Sequence, residues 1–194
     1  VSDRVAARIG VFGSLCNPPH LGHRMLILEA AWQLGLDRVL LVPTARPGHR
    51  DEPPEPFAVR ARMAEALVVA DPNVSVSTIE AERPGPSYTT DTLRALRLAH
   101  PGAELHLLIG GDQLAALGRW HEADQLPQLA RIAVAARPGF DVDDDPRVTG
   151  WITMPAIGIS SSEVRSRVAA GQPFRHLVGD AVASVIEDAG LYRS

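Results

Sequence analysis

Two hydrophobic rhythms alternate along this chain. Arg8-Ile-Gly-Val-Phe12 is a short apolar run stopped by Gly13, the pattern of a buried strand. Gly13 to His20 is a loop of turn formers containing Pro18 and Pro19. From Leu21 to Leu34 the apolar residues Leu21, Met25, Leu28 and Trp32 recur at helical spacing, which puts Trp32 in the core, and Gly35 closes the helix. Arg38–Pro43 reads as a second strand. Strand, loop, helix and strand in succession make a βαβ unit, for which strand twist dictates a right-handed crossover.

The rest of the chain repeats this alternation. Thr44–Pro56 is a polar loop with Pro47, Pro53, Pro54 and Pro56, long enough to serve as a flap. Phe57–Val69 is helical, with Arg60 and Arg62 expected on its outer side, and Val74–Ser77 alternates like a strand. Ser87–His100 reads as a helix and Glu104–Ile109 as a strand ending at Gly110-Gly111. Asp112–Leu117 and Glu122–Leu129 suggest short helices around Trp120, and Arg131–Ala136 a strand before the acidic loop Arg137–Val148. Trp151–Met154 is the last strand, followed by helices over Ser160–Ala170 and Val178–Ala189. Such alternation calls for an α/β fold, doubly wound, with a mainly parallel sheet covered on both faces. Residues 1–194 read as one domain in which 158–194 forms a small C-terminal helical part.

Composition narrows the classes. Apolar types make up 45% and charged types 22%, enough for a globular core, and a net charge of −4 argues against a nucleic-acid or membrane-surface binder. All 19 basic residues are Arg, which removes Schiff-base chemistry and any ammonium clamp for phosphate. With Cys16 as the single cysteine there is no internal disulfide, and two histidines without a third ligand make a poor zinc site. No apolar run approaches the roughly 20 residues of a membrane span. The start of the chain lacks a signal-peptide pattern, so a cytoplasmic protein is expected.

Two segments carry candidate chemistry. Ligands of open parallel sheets bind at the carboxyl ends of strands, and the loop after the first strand runs from Gly13 and Ser14 to His20-Leu-Gly-His23 at a helix start. Unpaired N–H groups and a positive dipole end there favour an anion, and two imidazoles can add donors, with Gly22 letting a ligand approach between them. Alternatively His20 caps the helix and His23 packs. The second segment is Ile159-Ser-Ser-Ser-Glu-Val-Arg165. Ser160 and Glu163 have capping-box spacing, which is a purely structural reading. The hydroxyls of Ser160, Ser161 and Ser162 with the Arg165 fork equally make an anion cradle.

Taken together, His20-Leu-Gly-His23 and Ile159-Ser-Ser-Ser-Glu-Val-Arg165 resemble the paired (H/T)xGH and ISSxxxR signatures of the nucleotidyltransferase superfamily. Ser87-Tyr-Thr-Thr-Asp-Thr-Leu93, Ile109-Gly-Gly-Asp-Gln-Leu114, Arg119-Trp120 with Leu126, and the ending Leu177-Val-Gly-Asp to Leu191-Tyr192 are similar to segments of bacterial nicotinate-nucleotide adenylyltransferases. The resemblance spans essentially the whole chain. It implies a Rossmann-like nucleotidyltransferase fold and transfer of AMP from ATP to nicotinic acid mononucleotide, giving deamido-NAD and pyrophosphate. The step would be in-line, without a covalent intermediate, with Mg²⁺ held by the phosphates rather than by protein ligands. The partners so implied are these small molecules, with a homo-oligomer left open. By the same resemblance His20, His23 and Arg165 would be catalytic. ATP would contact Gly13, Ser14, His20, His23, Gly110, Asp112, Ile159, Ser161, Ser162 and Arg165. The mononucleotide would meet Thr89, Trp120 and Arg46, with His49 and Arg50 as flap candidates.

The chain also departs from that family. The opening GGTFDPxHxGH stands here as Gly13-Ser-Leu-Cys-Asn-Pro-Pro-His-Leu-Gly-His23, so Ser14, Leu15, Cys16 and Asn17 replace Gly, Thr, Phe and Asp. The lysine of a PPxK flap has no counterpart in Arg46-Pro-Gly-His-Arg50. Two alternatives follow: an adenylyltransferase with a different acceptor, nicotinamide mononucleotide or phosphopantetheine, or a paralogue that binds nucleotide without turnover.

Overall fold

A computed structural model of the chain describes residues 6–48, 55–136 and 145–193. Six strands form one sheet in the order β3-β2-β1-β4-β5-β6, every neighbouring pair parallel. They are β1 (Arg8–Ser14), β2 (Arg38–Pro43), β3 (Val74–Val76), β4 (Glu104–Gly110), β5 (Arg131–Ala136) and β6 (Val148–Thr153). Helices α1 (Leu21–Gln33), α2 (Phe57–Val68), α3 (Thr89–Ala99), α4 (Gly111–Leu114), α5 (Leu126–Leu129), α6 (Ser161–Ala169), α7 (Arg175–Val178) and α8 (Asp180–Asp188) connect and cover them. The strand order reverses beside β1, which winds the chain in two directions and opens a crevice between the carboxyl ends of β1 and β4.

Strands buried on both faces need apolar residues at consecutive positions, which is why they read as continuous runs. In β1, Ile9 and Val11 enter one core with Leu93 and Leu96 of α3, while Phe12 enters the other with Ile27 of α1 and Met63 of α2. The second core also takes Val164, Val178, Val182 and Ile186, so the C-terminal helices pack on the same apolar face as α1 and α2.

Several elements differ from the sequence expectation. β1 does not stop at Gly13 but continues to Ser14, pairing there with Pro43 of β2. The buried face of α1 is Leu26, Ile27 and Ala30, and Trp32 is 81% exposed instead of core. Apolar side chains run most of the way round that helix, so periodicity fixed its type and not its phase. Arg60, expected on the outside of α2, is buried, because its guanidinium finds carbonyl partners inside. β6 begins three residues before Trp151, at Val148. The helix expected over Val178–Ala189 begins at Asp180 as α8, and a short unexpected helix, α7, ends just ahead of it at Gly179, whose φ of 82° lies in the left-handed region a helix cannot pass through. Most of the acidic loop, and with it Asp141, lies outside the described residues.

Candidate active site

The crevice at the strand ends is a cleft of about 1600 Å³. Both signature segments line it, and they touch. Ser161 Oγ donates to the Pro18 carbonyl (2.9 Å) and Arg165 Nη1 donates to the Asn17 carbonyl (2.7 Å), across 143 and 148 positions of sequence. The start of α6 is therefore fastened to the loop that delivers His20 and His23. Ser160 is the N-cap of α6, accepting from the Glu163 N–H (3.1 Å), so the capping reading holds for that residue. Glu163 does not complete a capping box; it pairs with Arg167. The N–H groups of Ser161 and Ser162, which a helix start cannot satisfy internally, together with the remaining Arg165 donors, make this rim suited to an anion.

His20 occupies the N-cap position of α1, and its backbone N–H donates to His23 Nδ1 (3.1 Å). That bond fixes a tautomer. With Nδ1 accepting, the proton of the neutral His23 ring sits on Nε2, which lies 3.4 Å from Ser14 Oγ at the cleft wall. The two rings stack with centroids 3.7 Å apart. Burial lowers His20 from 6.5 to about 4; burial and then repulsion from His20 lower His23 to about 3. Both are therefore neutral hydrogen-bond donors near pH 7 and not cations. The absent side chain of Gly22 leaves room for the His20 ring: a Cβ there would stand 3.0 Å from Nδ1. The glycine thus makes room for the histidine beside it, and it also lines the cleft.

Gly110 and Asp112, at the carboxyl end of β4, also line the cleft, as do Thr89 at the start of α3 and Trp120. Thr90, fully buried, donates to the His121 carbonyl (2.7 Å) and so fixes the loop that carries Trp120. Trp120 both lines the cleft and packs partly against the core. Tyr88 stacks on His121 with centroids 4.1 Å apart. Gly48 approaches Tyr88 closely: a Cβ there would come within 2.5 Å of the ring.

The structure thus brings Gly13, Ser14, His20, His23, Thr89, Gly110, Asp112, Trp120, Ile159, Ser161, Ser162 and Arg165 into one cleft. Arg46 is not in its lining; the guanidinium is exposed and donates to the Arg83 carbonyl (3.0 Å). His49 and Arg50 lie outside the described residues. No three His, Cys, Asp or Glu side chains converge for a metal among the described residues.

Residues 11–167 match the cytidylyltransferase-like family model. A Thermus thermophilus protein named "Probable nicotinate-nucleotide adenylyltransferase" is 42% identical over 96% of this chain and 100% of its own length. One of the same name from Tropheryma whipplei is 41% identical over 94% of this chain and 98% of its own length. The chain belongs to the nicotinate-nucleotide adenylyltransferase family. Its fold is also that of a solved Plasmodium falciparum nicotinic acid mononucleotide adenylyltransferase complexed with NaAD. That likeness has a TM-score of 0.79 at 15% identity and covers 96% of this chain and 97% of the other.

For a nicotinate-nucleotide adenylyltransferase the altered opening is easily accommodated. Cys16 is buried and burial pushes its thiol up to about 12, which leaves it a neutral packing group. Asn17 Oδ1 accepts the Tyr192 hydroxyl (2.6 Å), tying the end of the chain to the loop ahead of the histidines. Sequence reasoning missed this tie, along with Arg60 and Glu80. The buried Glu80 carboxylate accepts from Thr92 (2.7 Å) and from the Ala45 N–H (3.1 Å) at the cleft edge. A charged residue in an otherwise polar stretch gives no sign that its partners lie inside.

Among the described residues no helix is long and apolar enough to cross a membrane.

Proposed function

We propose that this protein transfers AMP from ATP to nicotinic acid mononucleotide, releasing pyrophosphate and nicotinic acid adenine dinucleotide. The observation that carries the reading is the direct joining of the two signature segments around one cleft, through Ser161 to Pro18 and Arg165 to Asn17. A phosphate oxygen of the mononucleotide attacks the α-phosphorus in line, the bond to the bridging α–β oxygen breaks, and pyrophosphate leaves with that oxygen. No protein nucleophile is needed, so catalysis rests on placement and on donors aimed at developing charge.

In this reading the His23 Nε2–H and the His20 ring donate to phosphate oxygens in the transition state. Arg165, Ser162 and the α6 N–H groups hold the outer phosphates, with Ser14 and Gly13 on the β1 side and Ile159 at the rim. Asp112, beside Gly110, accepts from ribose hydroxyls. Trp120 stacks on the pyridine ring and the Thr89 backbone receives the nicotinate carboxylate. Magnesium enters as part of the substrate, chelated by the triphosphate.

The test is pyrophosphate release with ATP and Mg²⁺ against nicotinic acid mononucleotide, nicotinamide mononucleotide and phosphopantetheine. Fastest turnover with the nicotinic acid compound is expected. A better turnover with either of the others, or ATP binding with no pyrophosphate from any acceptor, would overturn the assignment.

A further inference from the structure

Arg60 is 1% exposed and sits in the first turn of α2, with its guanidinium 5.6 Å from the Phe57 ring centroid. Its forks reach three separate stretches of backbone. Nη1 donates to the Leu15 carbonyl (2.7 Å) and the Thr44 carbonyl (2.7 Å), Nη2 to the Ala45 carbonyl (3.3 Å) and Nε to the Glu55 carbonyl (3.1 Å). Leu15 lies within the loop between β1 and the histidines. Thr44 and Ala45 leave β2, and Glu55 precedes α2.

The Leu15 carbonyl is well placed to matter. On one side of it, Ser14 Oγ meets His23 Nε2 (3.4 Å) and accepts the Cys16 N–H (3.2 Å). On the other side, the Asn17 and Pro18 carbonyls accept Arg165 and Ser161. The loop is therefore held from the α6 side by two hydroxyl and guanidinium donors and from the α2 side by Arg60. Cys16 sits between these anchors at φ 53°, in the left-handed region that disfavours a residue with a side chain. A loop bent this way keeps its shape only when its surroundings over-determine it.

We propose that Arg60 is a positioning residue for adenylyl transfer: by anchoring the Leu15 carbonyl and the carbonyls of Thr44, Ala45 and Glu55 to one rigid fork, it sets where Ser14 and His23 stand relative to the reacting phosphates. The proposal rests on the activity assigned above. Planarity is what the role requires. A guanidinium serves four carbonyls at fixed angles, whereas an ammonium keeps the charge and loses the geometry.

The experiment compares Arg60→Lys and Arg60→Gln with the unaltered protein in pyrophosphate release, at a temperature where circular dichroism shows each one folded. A control, Ile132→Ala, removes core volume at the amino end of β5, away from the cleft. For both Arg60 variants kcat is expected to fall about tenfold or more with KM for ATP and acceptor changing less than about threefold, since small misplacement acts on the transition state more than on binding. The control should lower Tm and leave kcat within about twofold, because distant sites act independently. In the folded Arg60 variants the His23 ring nitrogen resonances should also shift. An unchanged kcat in Arg60→Lys would overturn the proposal, as would a loss no larger than the control shows at equal loss of Tm. Failure of both variants to fold even in the cold would place Arg60 in the fold alone and overturn it as well. If the unaltered protein itself releases no pyrophosphate, it is the assigned activity that has failed, and the His23 resonances still report whether Arg60 positions the loop.

Discussion

Protonating the stacked histidine pair should destabilise the folded protein, and the structure gives the size of the effect. An unfolded histidine takes up a proton near pH 6.5, whereas His20 holds out to about 4 and His23 to about 3. Between these values the unfolded chain binds more protons than the folded one. Stability therefore rises with pH through that window: it is fully present above about 6.5 and drains away as pH falls toward 4 and 3. At pH 5 the deficit for a ring kept neutral is about 2 kcal/mol, from 1.5 pH units at 1.36 kcal/mol each. Two rings give about 4 kcal/mol as a ceiling. His23 is half-buried and open toward the cleft, so water there lowers its share. His106 and His100 are also lowered by burial and add to the overall slope, which makes a difference measurement necessary. His23→Asn keeps a polar acceptor facing the His20 N–H and removes one titrating ring. Urea unfolding of both proteins between pH 8 and pH 5 should show the variant losing about 1–2 kcal/mol less than the parent. Parallel curves for the two proteins would refute the reasoning, because they would mean that His23 takes its proton as readily folded as unfolded.

Other consequences can be checked with simpler variants. His23→Ala should lower turnover by on the order of a hundredfold, the usual loss for a preorganised transition-state donor, as read by pyrophosphate release. Trp120→Ala should chiefly raise KM for the mononucleotide, since stacking on a base is worth roughly 1–3 kcal/mol; an unchanged KM would assign the ring to the core. Cys16, buried with its thiol raised to about 12, should resist alkylation in the native protein and react on unfolding. Tyr192→Phe should reduce kcat modestly and lower Tm, because it leaves Asn17 Oδ1 without its donor.

How much of this was legible in the sequence depended on whether the signal was local. Strand runs, helix starts and the two signature segments are local, and they gave the doubly wound sheet and the residues that meet in the cleft. The phase of α1 was not local. Leu21, Met25, Leu28 and Trp32 fit one helical face as well as Leu26, Ile27 and Ala30 fit another, and the choice between the two faces is made by the sheet the helix lies on. Arg60 escaped for a related reason. A charged side chain on a helix is normally solvated, and its burial is set by carbonyls from Leu15, Thr44 and Ala45, none of which has a side-chain signature.

The same distinction accounts for the altered opening loop. Leu15 and Cys16 stand where the family carries Thr and Phe, yet what fastens this loop is largely main chain: the carbonyls of Leu15, Asn17 and Pro18 accept from Arg60, Arg165 and Ser161, and the Thr44 N–H donates to the Ser14 carbonyl (2.8 Å). Main-chain acceptors survive a change of side chain, provided the new side chain fits its space. Cys16 does so by entering the core at 1% exposure. Such a site constrains its donors more tightly than the loop they hold. Substitutions at Arg60, Ser161 and Arg165 should therefore be far more damaging to turnover than Leu15→Thr or Cys16→Ala. Equal damage from the two groups in parallel pyrophosphate-release assays would mean that the loop acts through its own side chains.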